Sequence, residues 1–201
     1  MAVSLQKATR GQKISLEKSM RLALIGLGWK SNKYKGGYDF DLDASAFLLG
    51  PDGTCMQDQD FVFYGNQSAR GGAVFSKGDE QSGGDEDDGG DQEQIVINFS
   101  KLPPQINKIA ITVTIYDAEH RSQNFGQVND AYVRMAKIQR EDDEDGETVI
   151  EYNLEEDFSS ETALVACEIV KQGSDWKFNA VGQGFEGGLA ALCANYGIDA
   201  S

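Results

Sequence analysis

Short runs of alternating hydrophobic and polar residues follow one another along most of this chain. β-Branched and aromatic residues dominate these runs and turn-forming residues separate them, which is the pattern of β-strands. The clearest run covers residues 108–116, where isoleucine or valine takes every odd position from 109 to 115 and threonine or tyrosine takes the even positions from 112. Nine strands are predicted, over residues 22–29, 41–49, 60–64, 94–99, 108–116, 131–137, 148–154, 162–170 and 176–180.

Helical spacing is confined to two places. A turn or two is predicted near residues 124–129, and a firmer helix over 187–196, with Gly197 as its C-terminal stop. Nine short strands and so little helix predict a mainly all-β fold, either a sandwich or a barrel. The 201 residues suit one domain, 1–201, in which residues 65–94 form a long acidic, glycine-rich loop.

The net charge of −15 is distributed unevenly. Residues 1–37 carry eight Lys and Arg against one acid, whereas residues 79–93 carry eight acids and no base. Such an acidic field repels the phosphates of nucleic acids and attracts divalent cations or basic partners. We therefore expect no nucleic-acid partner.

The three cysteines, Cys55, Cys167 and Cys193, are an odd number without CxxC spacing. They predict neither a disulfide framework nor a zinc site, but buried or half-buried thiols in a reducing compartment. The N-terminal residues contain no apolar stretch of signal-peptide length, and no run of about 18 apolar residues predicts a membrane span. The expected location is the cytoplasm.

The segment DFDLDAS at 39–45 carries the most chemical information. Period two places Asp39, Asp41 and Asp43 on one face of a strand and the apolar residues between them on the other. Neighbouring aspartates lie about 6.6 Å apart and can share one cation, but Asp39 and Asp43, about 13 Å apart, cannot. Either the backbone bends there or two ions are bound.

Calcium is the cation that these ligands favour. Carboxylates and flexible glycines suit its shell of about six to eight oxygens, whereas zinc or copper would require His or Cys, and the chain has a single histidine. An EF-hand is excluded, because its glycine and glutamate positions hold Ala44 and Gly50. Further candidate ligands precede or end predicted strands: Asp58, Asp60, Asn66 and Asp117.

No pattern of catalytic residues is present. GxSxG, HExxH and the P-loop are all missing from the sequence. The acids supply carboxylate pairs, but without a recognisable pocket they do not specify a hydrolase. We therefore expect a protein that is not an enzyme and has no small-molecule substrate.

The chain resembles the TerD family of bacterial tellurite-resistance and stress-response proteins along nearly its whole length. The matching blocks are GLGW at 26–29, YDFDLDASAFLL at 38–49, DQDFVFYGN at 58–66, GDQEQI at 90–95, TIYDAEHRSQNFGQV at 114–128, SSETALVACEI at 159–169 and WKFNAVGQGFEGGLAALC at 176–193. The resemblance implies a β-sandwich of two sheets that binds calcium at loops on one end. It also implies partners among other tellurite-resistance proteins, one of them a membrane protein, and hence a possible peripheral position at the inner face of the membrane.

Acids that match the family pattern are the ligands that the resemblance implies: Asp39, Asp41, Asp43, Asp79, Asp91, Glu93 and Asp117. The chain departs from that pattern at Gly65 and Asn66, where the family often has two asparagines, and in a longer DEDDGGDQE loop. For this reason residues 85–88 are second choices.

The leading hypothesis is a calcium-binding interaction module of the chemical stress response, with two Ca²⁺ ions expected. There are two alternatives. One is a calcium-dependent module that binds lipid at a membrane surface, which the basic N-terminal segment favours. The other is a metal-dependent enzyme.

Overall fold

The computed structural model describes residues 5–30, 38–78, 90–154 and 158–199. Within these ranges thirteen strands form two sheets that pack together, which confirms the predicted β-sandwich. The strands are β1 (Gln6–Ala8), β2 (Lys13–Ser15), β3 (Leu22–Gly28), β4 (Leu42–Leu49), β5 (Phe61–Val62), β6 (Ser68–Ala69), β7 (Val74–Ser76), β8 (Glu93–Asn98), β9 (Lys108–Ile115), β10 (Tyr132–Lys137), β11 (Glu147–Asn153), β12 (Ala163–Gln172) and β13 (Asp175–Phe185).

The first sheet has the strand order β1-β11-β10-β3-β8-β7-β6, and the second has the order β2-β13-β12-β9-β4-β5. Only the pairing of β1 with β11 is parallel among the described strands. A strand is present at each of the nine predicted places, but β5 covers only two of the five residues predicted for it, and β13 extends to Phe185 instead of residue 180. The strands β1, β2, β6 and β7 were not predicted, because two or three residues are too few to show an alternating pattern.

The main core lies between the two sheets and follows the predicted alternation. In β9 the isoleucines and the valine at positions 109, 111, 113 and 115 all join this core. In β4, Leu42, Ala44 and Ala46 do the same, together with Phe40 just before the strand. Period two therefore turns Asp41, directly before β4, and Asp43, within it, away from the core.

A second apolar cluster covers the outer face of the second sheet. The helix α2 (Gly188–Asn195) packs Leu192 and Cys193 against Phe47 and Val165, which lie on that outer face. Gly197, with φ of 75°, follows this helix in the left-handed conformation, as predicted for its C-terminal stop. The rest of β4 is thus buried on both faces, and its aspartates are left at the uncovered end.

Three other local features complete the frame. A 3-10 turn at Phe125–Gln127 lies in the segment predicted to turn, while the short helix α1 (Ala118–Arg121) was not predicted. Residues 65–94, predicted as one loop, contain β6, β7 and the start of β8, because short apolar segments around the Gly71–Gly72 turn pair with the first sheet. None of the helices in the described ranges is long and apolar enough to cross a membrane.

Candidate metal centre

One end of the sandwich holds a pocket of about 260 Å³ to which both sheets contribute. The start of β4, the ends of β7 and β9, the first residue of β8 and the connection after β5 all meet there. The residues that line it are Asp41, Asp43, Ala44, Tyr64, Gln67, Ser76, Gly78, Glu93 and Tyr116. Three of the sequence-predicted ligands, Asp41, Asp43 and Glu93, are therefore brought together.

Strand pairing fixes the positions of the two aspartates. Leu42 of β4 is opposite Ile115 of β9, and the Tyr116 backbone N–H donates a 2.8 Å hydrogen bond to the Asp41 carbonyl oxygen. Glu93 approaches from the other sheet, and its carboxylate lies 3.5 Å from the Ala44 backbone nitrogen, which donates to it. The Asp41 side chain remains 56% exposed, so the pocket is open to exchange with solvent.

The pocket offers oxygen donors of the kind that calcium binds. Besides the three carboxylates it presents the Gln67 amide, the Ser76 hydroxyl and the backbone at Gly78, and neither His nor Cys is among the described lining residues. Within the described ranges, however, no group of three or more His, Cys, Asp or Glu side chains is already placed to hold an ion. The donor chemistry fits a hard cation, and binding would require the carboxylates to draw together.

Asp39 and Asp117 lie near the pocket without lining it. Asp39 is exposed, and its carbonyl oxygen accepts a 3.4 Å hydrogen bond from Gln123 Nε2. Asp117 has φ of 51° and precedes α1, with its carboxylate 3.2 Å from His120 Nδ1. Arg121 connects this helix to the pocket, because its guanidinium lies 3.8 Å from an Asp41 oxygen and 4.0 Å from an Asp117 oxygen.

Asp60 has a different environment from the pocket acids. Its fully buried carboxylate accepts hydrogen bonds from Arg70 Nε at 2.5 Å and from Nη2 at 2.6 Å. The neighbouring Asp58 is exposed on a 3-10 turn, and Asn66 Nδ2 donates to the Phe61 carbonyl oxygen at 2.7 Å. None of these three residues lines the pocket, and the ion pair of Asp60 disfavours the predicted role of this residue as a ligand.

Asp91 is held in the same way, by Arg134. Its side chain is 0% exposed, and the guanidinium donates to its two oxygens at distances from 2.7 to 3.0 Å. The carboxylate lies over Gly26, where a Cβ atom would be 2.1 Å from the Asp91 Cγ. Tyr132 also donates to Asp91, at 3.3 Å, and burial, followed by the Asp91 charge, raises the pKa of this tyrosine to about 12.

The turn between β10 and β11 contacts Lys77, which precedes residues 79–89, and Gln94, which follows them. Lys77 Nζ donates to the Asp143 carbonyl oxygen on one flank, and Gln94 Nε2 donates to the Glu144 carbonyl oxygen at 2.9 Å on the other. Asp145 of the same turn accepts a 2.7 Å hydrogen bond from Arg134. The acidic run at 141–146 therefore serves as an anchor. Asp79 and the second choices at 85–88 lie outside the described residues.

The sequence interpretation missed the aromatic rim of the pocket and its arginine. Tyr64, Tyr116 and nearby Tyr38 are 72%, 53% and 59% exposed, although tyrosine normally buries much of its ring. Tyr116 adjoins Asp117, and Tyr64 adjoins the FVF run, so both were within the segments singled out. Their exposure and the position of Arg121 depend on tertiary packing, for which the sequence has no local signal.

The thiols match the prediction of buried or half-buried cysteines. Cys167 and Cys193 are buried, Cys55 is half-buried, and all three are free. Burial, more than the nearby charge of Asp60, raises the pKa of the Cys55 thiol to about 12. A thiol with so high a pKa is almost wholly protonated at neutral pH, and is thus a poor nucleophile or metal ligand.

Known proteins resemble this chain in sequence and in fold. The family model described as TerD domain matches residues 1–196. General stress protein 16U of Bacillus subtilis (strain 168) is 45% identical over 201 residues, which cover 98% of each chain. Tellurium resistance protein TerD of Serratia marcescens is 44% identical over 204 residues, covering 100% of both chains. The crystal structure of a homologue of the telluride resistance protein TerD from Streptomyces coelicolor A3(2) superposes with a TM-score of 0.65 at 18% identity, over 88% of this chain and 96% of that one.

Proposed function

This chain belongs to the TerD family of tellurium-resistance and stress proteins, and we propose that within this stress response it is a calcium-binding interaction module. The observation that carries the proposal is the pocket at one end of the sandwich, where Asp41 and Asp43 of one sheet meet Glu93 of the other. Bound Ca²⁺ would neutralise these carboxylates and link the two sheets at that end.

Charged and neutral groups of the chain would have different roles in calcium binding. Asp41, Asp43 and Glu93 would supply charged ligands, and the Gln67 and Ser76 side chains and the Gly78 backbone would supply neutral oxygens. The Asp91–Arg134 pair fixes the backbone two residues before Glu93, and so positions that carboxylate at the start of β8. These proposed roles involve binding and orientation only.

Exposed tyrosines next to the pocket support a role in partner recognition. Tyrosine is enriched at the energetic centres of protein interfaces, and Tyr64 and Tyr116 both line the mouth of the pocket. We propose that calcium and these rings together form the surface that another tellurium-resistance protein binds. Co-elution of wild type with such a protein in calcium but not in EDTA is expected, and Tyr64→Ser should weaken it without changing calcium affinity.

A calcium titration by calorimetry tests the central proposal. A cation that binds only the folded protein at a hundredfold excess over Kd should add about 2.7 kcal/mol to the free energy of unfolding. The melting temperature should therefore rise when calcium is added and return to its calcium-free value in EDTA. Absence of heat on titration, together with an unchanged melting temperature, would remove the proposal.

Asp43→Asn tests the assignment of ligands. Loss of one charged ligand should weaken calcium binding by about tenfold or more, because affinity in such sites follows the number of charged ligands. Asp58→Asn is the matched control, since Asp58 is exposed, carries the same charge and does not line the pocket. Equal affinities of the two variants would exclude Asp43 from the ligand set.

A calcium-dependent lipid-binding module is the second candidate, and the exposed tyrosines are the observation in its favour, because such rings favour membrane interfaces. The position of the basic N-terminal strands argues against lipid binding at the pocket. β1 and β2 each form one edge of a sheet, and β6 and β5 form the opposite edges, whereas the pocket lies towards β5 and β7. Sedimentation with anionic vesicles in calcium and in EDTA separates the two: the interaction module should stay in the supernatant in both.

A further inference from the structure

Arg121 is the one cationic side chain in ion-pair range of Asp41 among the described residues. Its contacts with Asp41 and Asp117, at 3.8 and 4.0 Å, are longer than hydrogen bonds. The side chain is nevertheless only 19% exposed. Something other than the carboxylates must therefore hold the guanidinium in place.

Two tyrosine rings hold it. The guanidinium carbon lies 5.5 Å from the centroid of the Tyr38 ring and 5.1 Å from that of the Tyr116 ring, within cation–π range of both. The helix α1 begins two residues after Tyr116, so the turn at Asp117 brings Arg121 back over the end of β9 and next to Asp41. Because the rings fix the positive charge, it stays beside the pocket whichever way the Asp41 carboxylate turns.

This fixed charge changes the electrostatic balance of the pocket. Arg121 places a positive charge beside the pocket carboxylates, and this charge repels a bound cation in proportion to the charge of that cation. A trivalent ion is therefore disfavoured more strongly than a divalent ion.

We infer that Arg121 is a specificity-determining residue of the calcium site: its guanidinium, fixed between Tyr38 and Tyr116, tunes the carboxylate pocket to a divalent ion and limits the affinity for cations. The inference rests on the proposed calcium function. It requires that Arg121 acts through its charge and not by holding Asp41 in position. These two roles predict opposite effects of removing the charge.

Arg121→Gln tests the inference, with Ca²⁺ and Tb³⁺ as the two probes. Calorimetry measures Ca²⁺ binding, and Tb³⁺ binding can be followed by luminescence sensitised by the tyrosines of the pocket. Removal of a positive charge from beside the site should raise Ca²⁺ affinity by about tenfold, because charges about 6 Å apart in a solvent-open pocket interact at a dielectric close to that of water, and should raise Tb³⁺ affinity by a larger factor. The ratio of the two affinities should therefore shift towards Tb³⁺.

Arg121→Lys and Arg140→Gln complete the design. Arg121→Lys keeps the charge and should leave both affinities close to those of wild type. Arg140→Gln removes the same charge from a 72% exposed side chain in the turn between β10 and β11, and should change neither affinity. If Arg121→Gln fails to fold, Arg121→Lys decides: unchanged affinities support the inference, and a loss of affinity overturns it.

Two other outcomes have separate meanings. Lower affinity of Arg121→Gln for both ions, or no change, would show that Arg121 positions Asp41 or is irrelevant to binding, and would overturn the inference while the calcium proposal stands. Failure of the wild type to bind either ion would instead overturn the calcium proposal, and the inference with it.

Discussion

The pocket carboxylates of Asp41, Asp43 and Glu93 and the carboxylates of Asp60 and Asp91, each bound by an arginine, differ in their surroundings, although all five were predicted to be ligands. The side chains of Asp60 and Asp91 are fully buried, and each has both oxygens hydrogen-bonded to one arginine. Asp41 is 56% exposed and lines an open pocket together with Asp43 and Glu93. Each acid of the first pair is enclosed together with its arginine, whereas the Asp41 side chain is open to solvent.

The difference follows from the cost of desolvation. A buried carboxylate without a partner is so unfavourable that the fold must supply a cation or a proton, and a bidentate arginine supplies both charge and hydrogen bonds. A half-exposed carboxylate keeps its hydration and remains free to exchange water for a metal ion. The role of an acid in this protein is therefore decided by what packs around it, and not by the acidic motif that contains it.

Asp60→Asn should have the largest effect on stability. It leaves the Arg70 guanidinium, only 20% exposed, without its counter-charge, and breaking such a buried pair costs about 3 kcal/mol or more. Denaturant unfolding should show this loss, while calcium affinity stays at the wild-type value. Asp58→Asn, an exposed change two residues away, should alter stability by no more than about 0.5 kcal/mol.

The opposite result would remove the distinction between Asp60 and the pocket carboxylates. If Asp60→Asn abolished calcium binding and left the unfolding free energy unchanged, Asp60 would belong with the pocket carboxylates.

Gly26→Ala should have the next largest effect, through Asp91. The new methyl group would meet the Asp91 carboxylate at 2.1 Å and push it away from Arg134, at a cost of about 2 kcal/mol for an overpacked buried site. Tyr132 reports the displacement independently, because part of its raised pKa comes from the Asp91 charge. Ultraviolet titration should show a lower pKa for this tyrosine.

Gly90→Ala is the matched control for this change. A Cβ atom at Gly90 would meet nothing within 4 Å, and the residue is exposed. It should therefore leave both stability and the Tyr132 titration unchanged. Equal stabilities of the two alanine variants would mean that the position of Asp91 over Gly26 contributes little to the fold.

The two groups of acids also show how far the sequence could predict this protein. The alternating runs predicted nine of the thirteen described strands and the outward faces of Asp41 and Asp43, because period two is a local property. Glu93 entered only through the family resemblance, since its position opposite β4 depends on how the two sheets pack. The pairing of Asp91 with Arg134, 43 residues away, has no local signal at all.

Arg121 illustrates the same limit at the pocket. The sequence predicted a strand up to residue 116 and candidate ligands on both sides, but it did not predict the helix α1 that follows. Four residues are too few to show helical periodicity, and the left-handed backbone conformation of Asp117 depends on tertiary packing. For this reason the sequence did not predict that the Arg121 guanidinium lies beside the pocket carboxylates.

Asp145→Asn should have the smallest effect and a distinct pH dependence. The hydrogen bond from Arg134, followed by that of the Gly146 backbone, lowers the pKa of Asp145 from its ordinary value of 3.8. A carboxyl group whose pKa is lower in the folded state stabilises the fold above its unfolded pKa, and this contribution is lost as pH falls through the folded value. Because the side chain is 76% exposed, the contribution at neutral pH should be about 0.5 kcal/mol.

Unfolding free energies of wild type and Asp145→Asn, measured from neutral to increasingly acid buffers, should therefore differ slightly at neutral pH and converge once the wild-type carboxylate is protonated. The loss is small because Arg134 keeps its buried partner Asp91, and Asp145 only adds an exposed contact to a pair that is already complete. A loss at neutral pH as large as that of Asp60→Asn would contradict this division, and would mean that Arg134 needs both carboxylates to hold the flank of the pocket in place.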